Sequence, residues 1–211
     1  MENLLIFDLD NTIYESATIN KTIIKKMLSD FEEVATFYFG KDTAHQIIAA
    51  LKQDSFDVAL KKFNIEEKIR QEFAEKFRKR NLQMEIKPFS DFEVVKTLKE
   101  KKILVSEGFK ELQEAKIRSL NLENLFSETY ISNTLFQSRP SKKHIFDLIL
   151  KRRQITPQHV FVIGDKSESE LKAGRELGMR TVQVKKLNQE NSIYAEFVIS
   201  DFRELLNMLK S

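Results

Sequence analysis

A chain of 211 residues, 41% apolar and 32% charged, is sized for one large globular domain or for a core carrying a smaller insertion. Its 35 basic and 32 acidic residues are interspersed, and a net charge of +3 is too small and too scattered to point to nucleic acid. The chain has no cysteine, which excludes disulfides, thiol catalysis and Cys-ligated zinc and fits a cytoplasmic protein. No apolar run approaches the roughly 18 residues expected of a membrane helix.

Met1-Glu2-Asn3 enters a strand directly, without the basic region or cleavage site of a signal peptide. The run Leu4-Leu5-Ile6-Phe7 has no polar face, so it predicts a strand buried on both sides, as in a parallel sheet. It ends in Asp8-Leu9-Asp10. On a strand that spacing points both carboxylates the same way, off the C-terminal edge where open α/β sheets place ligands. Two acids this close repel unless a cation or proton lies between them, and Mg2+ with carboxylate, water and phosphate oxygens is the simplest resolution.

Residues 16–87 carry almost no strand signal. Ile19, Ile23, Ile24, Met27 and Phe31, continued by Val34, Phe37 and Tyr38, recur at helical spacing up to Gly40, a natural stop. Ala44 to Leu51, Phe56 to Phe63 and Ile65 to Arg80 predict three further helices, able to pack as a small bundle. The basic cluster Lys76, Arg78, Lys79 and Arg80 reads as favourable charge at a helix C-terminus and a solvated face.

From Lys87-Pro88 onward helix and strand alternate. Strands are expected at Ile103–Val105, Thr129–Ile131, Val160–Ile163, Thr181–Val184 and Phe197–Ile199. Helices are expected after caps at Ser90 or Asp91 and at Ser141, after Phe109, after Gly164-Asp165 up to about Leu177, and from Phe202 to Leu209. The fold class is therefore α/β: a doubly wound parallel sheet formed by residues 1–15 and 88–211, interrupted by an all-helical cap of residues 16–87. The insertion leaves the sheet beside the Asp pair, placed to exclude water and choose substrate.

The string Asp8-Leu9-Asp10-Asn11-Thr12-Ile13-Tyr14 resembles the first motif of the haloacid dehalogenase (HAD) superfamily, in the variant of its pyrimidine 5'-nucleotidase-like phosphatases. Three later places follow the order of the family's other motifs: Ser106-Glu107-Gly108, Arg139-Pro140 and Gly164-Asp165 with Glu170. The resemblance implies that Asp8 is a nucleophile forming an aspartyl-phosphate and that Asp10 protonates the leaving group, then takes a proton from the attacking water. It implies that Thr12 orients the loop and that Thr12, Ser106 and Arg139 form the phosphate-binding set. Mg2+ is expected on Asp8, the Asp10 backbone carbonyl, Asp165 and Glu170.

Each later motif departs from the family pattern. Glu107 stands where Asn is common, Arg139 takes the usual Lys place, and Glu170 replaces an Asp and reaches about one methylene further. Lys142 or Lys143 is the alternative to Arg139 at that place, but both are expected to face solvent from the first turn of their helix. His45, His144 and His159 have no ligand spacing, and no Walker loop, Gly-x-Ser-x-Gly elbow or Gly-x-Gly-x-x-Gly occurs.

The expected activity is Mg2+-dependent hydrolysis of a small phosphomonoester, nucleoside monophosphates favoured. The partner is a small phosphorylated substrate, with no nucleic acid and no membrane. Glu107, Arg139 and Glu170 motivate an alternative, a HAD-fold protein binding a phosphorylated ligand or a protein partner with weak or no turnover. A phosphomutase is a further enzyme alternative, although those commonly continue the first motif with Gly-Val.

Overall fold

The structure, a computed structural model, describes residues 2–54, 56–80, 82–136 and 138–210. Six strands form one sheet: β1 (Leu4–Phe7), β2 (Lys101–Gly108), β3 (Glu128–Asn133), β4 (Val160–Gly164), β5 (Arg180–Val184) and β6 (Phe197–Ile199). Their order is β3-β2-β1-β4-β5-β6, and every pairing is parallel. Each strand predicted from an apolar run is present. The order reverses between β1 and β4, so the crevice beyond their C-terminal ends is where such a sheet binds its ligand.

The period-2 geometry of the strands divides the core in two. Leu4, Ile6, Ile103, Val105, Val160 and Val162 face one way, against Ile145, Phe146 and Ile149 of helix α7 (Lys142–Arg153). Leu5, Phe7, Leu104, Phe161 and Ile163 face the other. There Phe7 meets Phe92, Phe126 and Phe202 with ring centroids 6.5, 5.9 and 6.3 Å apart. Several of the chain's 17 phenylalanines therefore serve packing here.

After β1 come four consecutive α-helices before the chain reaches Pro88: α1 (Lys21–Phe39), α2 (Lys41–Gln53), α3 (Phe56–Lys62) and α4 (Glu67–Arg78). Asn20 caps α1 by accepting from the Thr22 N–H at 2.8 Å. Gly40, at φ 77°, turns the chain straight from α1 into α2. The helices seat on the core through one aromatic cluster. Phe109, just after β2, lies 6.0, 5.2 and 5.0 Å from the rings of Phe56, Phe73 and Phe77. At the base of the insertion the Phe89 N–H donates to the Ile13 carbonyl at 2.8 Å, so its outgoing and returning chains touch.

The basic cluster at the end of α4 makes ion pairs. Lys76 meets Glu33, Arg80 grips the buried Asp30, and Arg78 reaches Glu111 of α6 (Lys110–Ser119) at 3.0 Å. The remaining helices are α5 (Glu93–Thr97), α8 (Lys172–Glu176) and α9 (Phe202–Lys210). One element differs from expectation. The helix after β4 begins as a π turn over Ser167–Leu171 before α8 continues it. Among the described residues, no helix is long and apolar enough to cross a membrane.

Candidate active site

β1 delivers Asp8 to the crevice, and the Asp8 N–H still donates to Ile163 O of β4 at 2.9 Å. The chain then folds into a tight turn. Ile13 N bonds Leu9 O, Asn11 N bonds Tyr14 O, and Asn11 takes a left-handed φ of 59°. Asn tolerates that conformation, and its side-chain oxygen accepts from both the backbone and the hydroxyl of Ser16. Thr12 sits wholly inside this turn, its Oγ1 buried without a protein partner.

Asp8, Asp165 and Glu170, all buried, each offer a carboxylate oxygen within 4.8 Å of the others. Asp165 follows β4. Glu170 arrives from the π turn, whose wider spacing carries its carboxylate back to accept from Lys166 N at 2.6 Å. Gly164 is required for this approach, because a Cβ there would lie 2.4 Å from Glu170 Cγ.

Lys142 crosses the cluster. Its Nζ donates to Asp8 Oδ1 at 2.7 Å and to Glu170 Oε2 at 2.7 Å. Contrary to expectation, this lysine is buried and does not face solvent. Ser141 caps α7, accepting from His144 N at 3.2 Å, and Ser132 Oγ holds Pro140 O at 2.7 Å. That fixed entry turns the first helical residue inward. Arg139, the residue expected at this place, lies instead on the cleft wall, with Nη2 2.9 Å from Glu107 Oε1. Glu107 is thereby paired, not left beside the crevice as a bare charge. Lys143 faces outward and pairs with Glu176 at 2.7 Å.

Burial pushes the Asp8 carboxyl up to about 7, with Lys142 pulling against it and Glu170 adding to it. Burial also pushes Asp165 up to about 6, helped by the neighbouring Glu170 charge. Burial acts on Glu170 in the same sense, but the Lys142 ammonium outweighs it and holds that group below the usual carboxylate range. Burial opposes the charge on Lys142, yet its two carboxylate partners prevail and raise its pKa.

Asp10 points to a different set of partners. Lys116 Nζ on α6 donates to its two oxygens at 2.7 and 3.0 Å, Gln113 Nε2 donates to Oδ2 at 2.8 Å, and the Tyr14 hydroxyl donates to Oδ1. Burial alone would raise this carboxyl, but Lys116, Gln113 and Tyr14 together lower it. Gln113 also donates to Ser106 Oγ at 2.6 Å. Lys116, Gln113 and Tyr14 were absent from the sequence-based site. The available signal was two long polar side chains one turn apart on a helix whose neighbouring residues Leu112, Ala115 and Ile117 are buried.

The crevice that joins these groups has a volume of about 420 Å³. Asp8, Asp10, Lys142, Glu107, Gly108, Thr134, Arg139, Lys166 and Ser169 line it, and Phe56 of α3 reaches it from the inserted helices. No histidine lines it; His45 pairs with Glu32 at 3.0 Å, and His159 lies 3.4 Å from Asn3 Oδ1.

The family model described as Haloacid dehalogenase-like hydrolase matches residues 5–184. The chain belongs to this family. It is 30% identical over 112 residues to a glyceraldehyde 3-phosphate phosphatase of Pyrococcus furiosus, a match covering 51% of this chain and 46% of that protein. The chain thus spans about half the length of the curated relatives it matches. The HAD-hydrolase YfnB of Bacillus subtilis, solved bound to magnesium, shares the fold with a TM-score of 0.61 at 18% identity, covering 100% of this chain and 99% of that one. CbbY of Rhodobacter sphaeroides, solved with phosphate, shares it with a TM-score of 0.65 at 17% identity and full coverage of both chains.

Proposed function

We propose that this protein is a Mg2+-dependent phosphatase of small phosphomonoesters. The observation that carries the reading is the buried triad Asp8, Asp165 and Glu170 at the switch point of the sheet. The residues fit a hard dication. The donors are all oxygens, and Asp165 Oδ1 is buried with no protein partner, which is costly unless something occupies it. When bound, the ion would be held by Asp8, Asp165 and Glu170, with the Asp10 carbonyl as a further oxygen, and would offset phosphate charge.

The protein groups divide the chemistry. The Asp8 carboxylate attacks phosphorus, and the bond from phosphorus to the ester oxygen breaks. Asp10 gives that leaving oxygen a proton, and a phosphate dianion arriving beside Asp10 favours the protonated form needed for this. Water then attacks the aspartyl-phosphate as Asp10 takes its proton, releasing phosphate and restoring Asp8. Lys142 holds Asp8 in line, Arg139 meets the phosphoryl oxygens, and the Ser106 hydroxyl at the end of β2 is the further phosphate donor in this reading. Thr12, closed inside its turn, orients the loop and does not bind phosphate in this reading. Residues 16–87 act as the cap and residues 1–15 with 88–211 as the catalytic core; Phe56 in the crevice supports that division.

The glyceraldehyde 3-phosphate phosphatase relatives support a small sugar-type phosphate and the first motif's resemblance a nucleotide, so both classes belong in the test. Phosphate release is measured from 4-nitrophenyl phosphate, glyceraldehyde 3-phosphate and a nucleoside monophosphate panel, with and without Mg2+, beside Asp8→Asn. Metal-dependent release abolished in the variant is expected. Tight binding of a phosphorylated ligand with no release above the variant would sink this reading in favour of a non-hydrolytic binder.

A further inference from the structure

Asp10 is held more firmly than an acid–base group needs if only its backbone position mattered. Both carboxylate oxygens are engaged: Oδ1 by Lys116 and Tyr14, Oδ2 by Lys116 and Gln113. With donors on both oxygens the carboxylate plane cannot rotate freely. Lys116 is 5% exposed, stands 5.9 Å from the Tyr14 ring centroid, and donates from Nζ to both Asp10 carboxylate oxygens. Gln113 ties the same carboxylate to Ser106 Oγ, and its path over the strand end depends on Gly108, where a Cβ would lie 2.9 Å from Gln113 Cδ.

A buried lysine–aspartate pair is a poor stabiliser, because desolvation of both ions offsets their attraction. Asp10 of this pair lines the crevice together with the nucleophile Asp8, and there orientation matters more than stability. We propose that Lys116 is a positioning residue of the reaction: it fixes the Asp10 carboxylate so that its proton reaches the leaving oxygen, with Gln113 and Tyr14 as its auxiliaries. The proposal rests on the phosphatase reading. It makes Lys116 matter in proportion to how much the leaving group needs a proton.

The test compares kcat/KM for 4-nitrophenyl phosphate, whose leaving group departs readily as an anion, with phenyl phosphate, whose leaving group needs the proton more. Lys116→Met is expected to lower the phenyl phosphate value by about 10²-fold while leaving the nitrophenyl value within about threefold, the usual scale of a lost general acid. In an Asp10→Asn background the same substitution is expected to add nothing, as for two groups acting as one unit. Where Lys116→Met does not fold, Lys116→Leu, which likewise removes the donor, is read in the same way. Equal losses on both substrates, or no loss on either, overturn the positioning role while the hydrolase reading stands. A wild-type protein that releases phosphate from neither overturns the hydrolase reading and this proposal with it.

Discussion

Lys142 meets Asp8 at 2.7 Å across 134 residues of sequence, and the same ammonium closes on Glu170. The ion pair therefore ties the end of β1 to the start of α7 and the turn after β4. Lys142→Ala is expected to remove about 10²–10³-fold from kcat, the scale of losing one preorganised electrostatic contact. Arg139→Ala, on the cleft wall, is expected to raise KM more than it lowers kcat. Steady-state kinetics on both variants checks the contrast; a larger kcat loss in Arg139→Ala would return the central role to the arginine.

The acidic triad predicts a metal response that can be read without any substrate. Mg2+ binding to the folded state alone raises the melting temperature, by an amount that grows with its concentration. The shift is expected in the wild-type protein and not in Asp165→Asn. A thermal melt with and without Mg2+, after chelator treatment, measures it.

Gly164 gives a subtler probe of the same site. Gly164→Ala puts a methyl group 2.4 Å from Glu170 Cγ, so the Glu170 carboxylate must leave its place. The variant is expected to fold but to need a higher Mg2+ concentration for the same thermal shift, seen by titrating the melt. An unchanged titration would mean that Glu170 does not contribute to the ion site.

The pH dependence of the metal-free protein follows from two carboxyls raised by burial, Asp8 to about 7 and Asp165 to about 6. Folded protein keeps these protons after the unfolded chain has lost them, so stability falls as pH rises between about 4 and 7. Glu170, held low, is ionised in both states over the upper part of that window and adds no slope there. Bound Mg2+ displaces the protons, so its affinity rises with pH over the same range. Melts at pH 5 and pH 8 test both statements: without metal the pH 8 value is expected to be lower, and the gap to close when Mg2+ is added.

Phe109→Ala removes the ring on which Phe56, Phe73 and Phe77 converge. A loss of about 3–5 kcal/mol of stability is expected, as for a buried aromatic truncated in a packed core. Chemical denaturation measures it.

Continuous apolar runs and their polar endings made the sheet legible, because a strand buried on both faces cannot hide its composition. That placed Asp8 and Asp165 at the ends of apolar strands, while Glu170 followed from the resemblance of its motif. Side-chain direction in the turns was not legible. Whether Arg139 or Lys142 points inward depends on how Ser132 and Ser141 fix the start of α7, contacts that a linear motif does not display. The same holds for Lys116, whose partner lies 106 residues away. A buried lysine looks like any surface lysine until its carboxylate is found. The π turn was likewise hidden, since Ser167–Leu171 reads as an ordinary helix start and only Glu170's bond back to Lys166 reveals its wider geometry.

The hydrogen bond between Phe89 and Ile13 has an evolutionary consequence. It closes the inserted helices into a loop sealed at its own neck, and lengthening such a loop adds little closure entropy. Helices inside the loop can therefore be lengthened, shortened or exchanged without shifting the register of β1 against β2. These helices are free to diverge from one descendant to the next, while the groups at the ends of β1 and β2 keep their places.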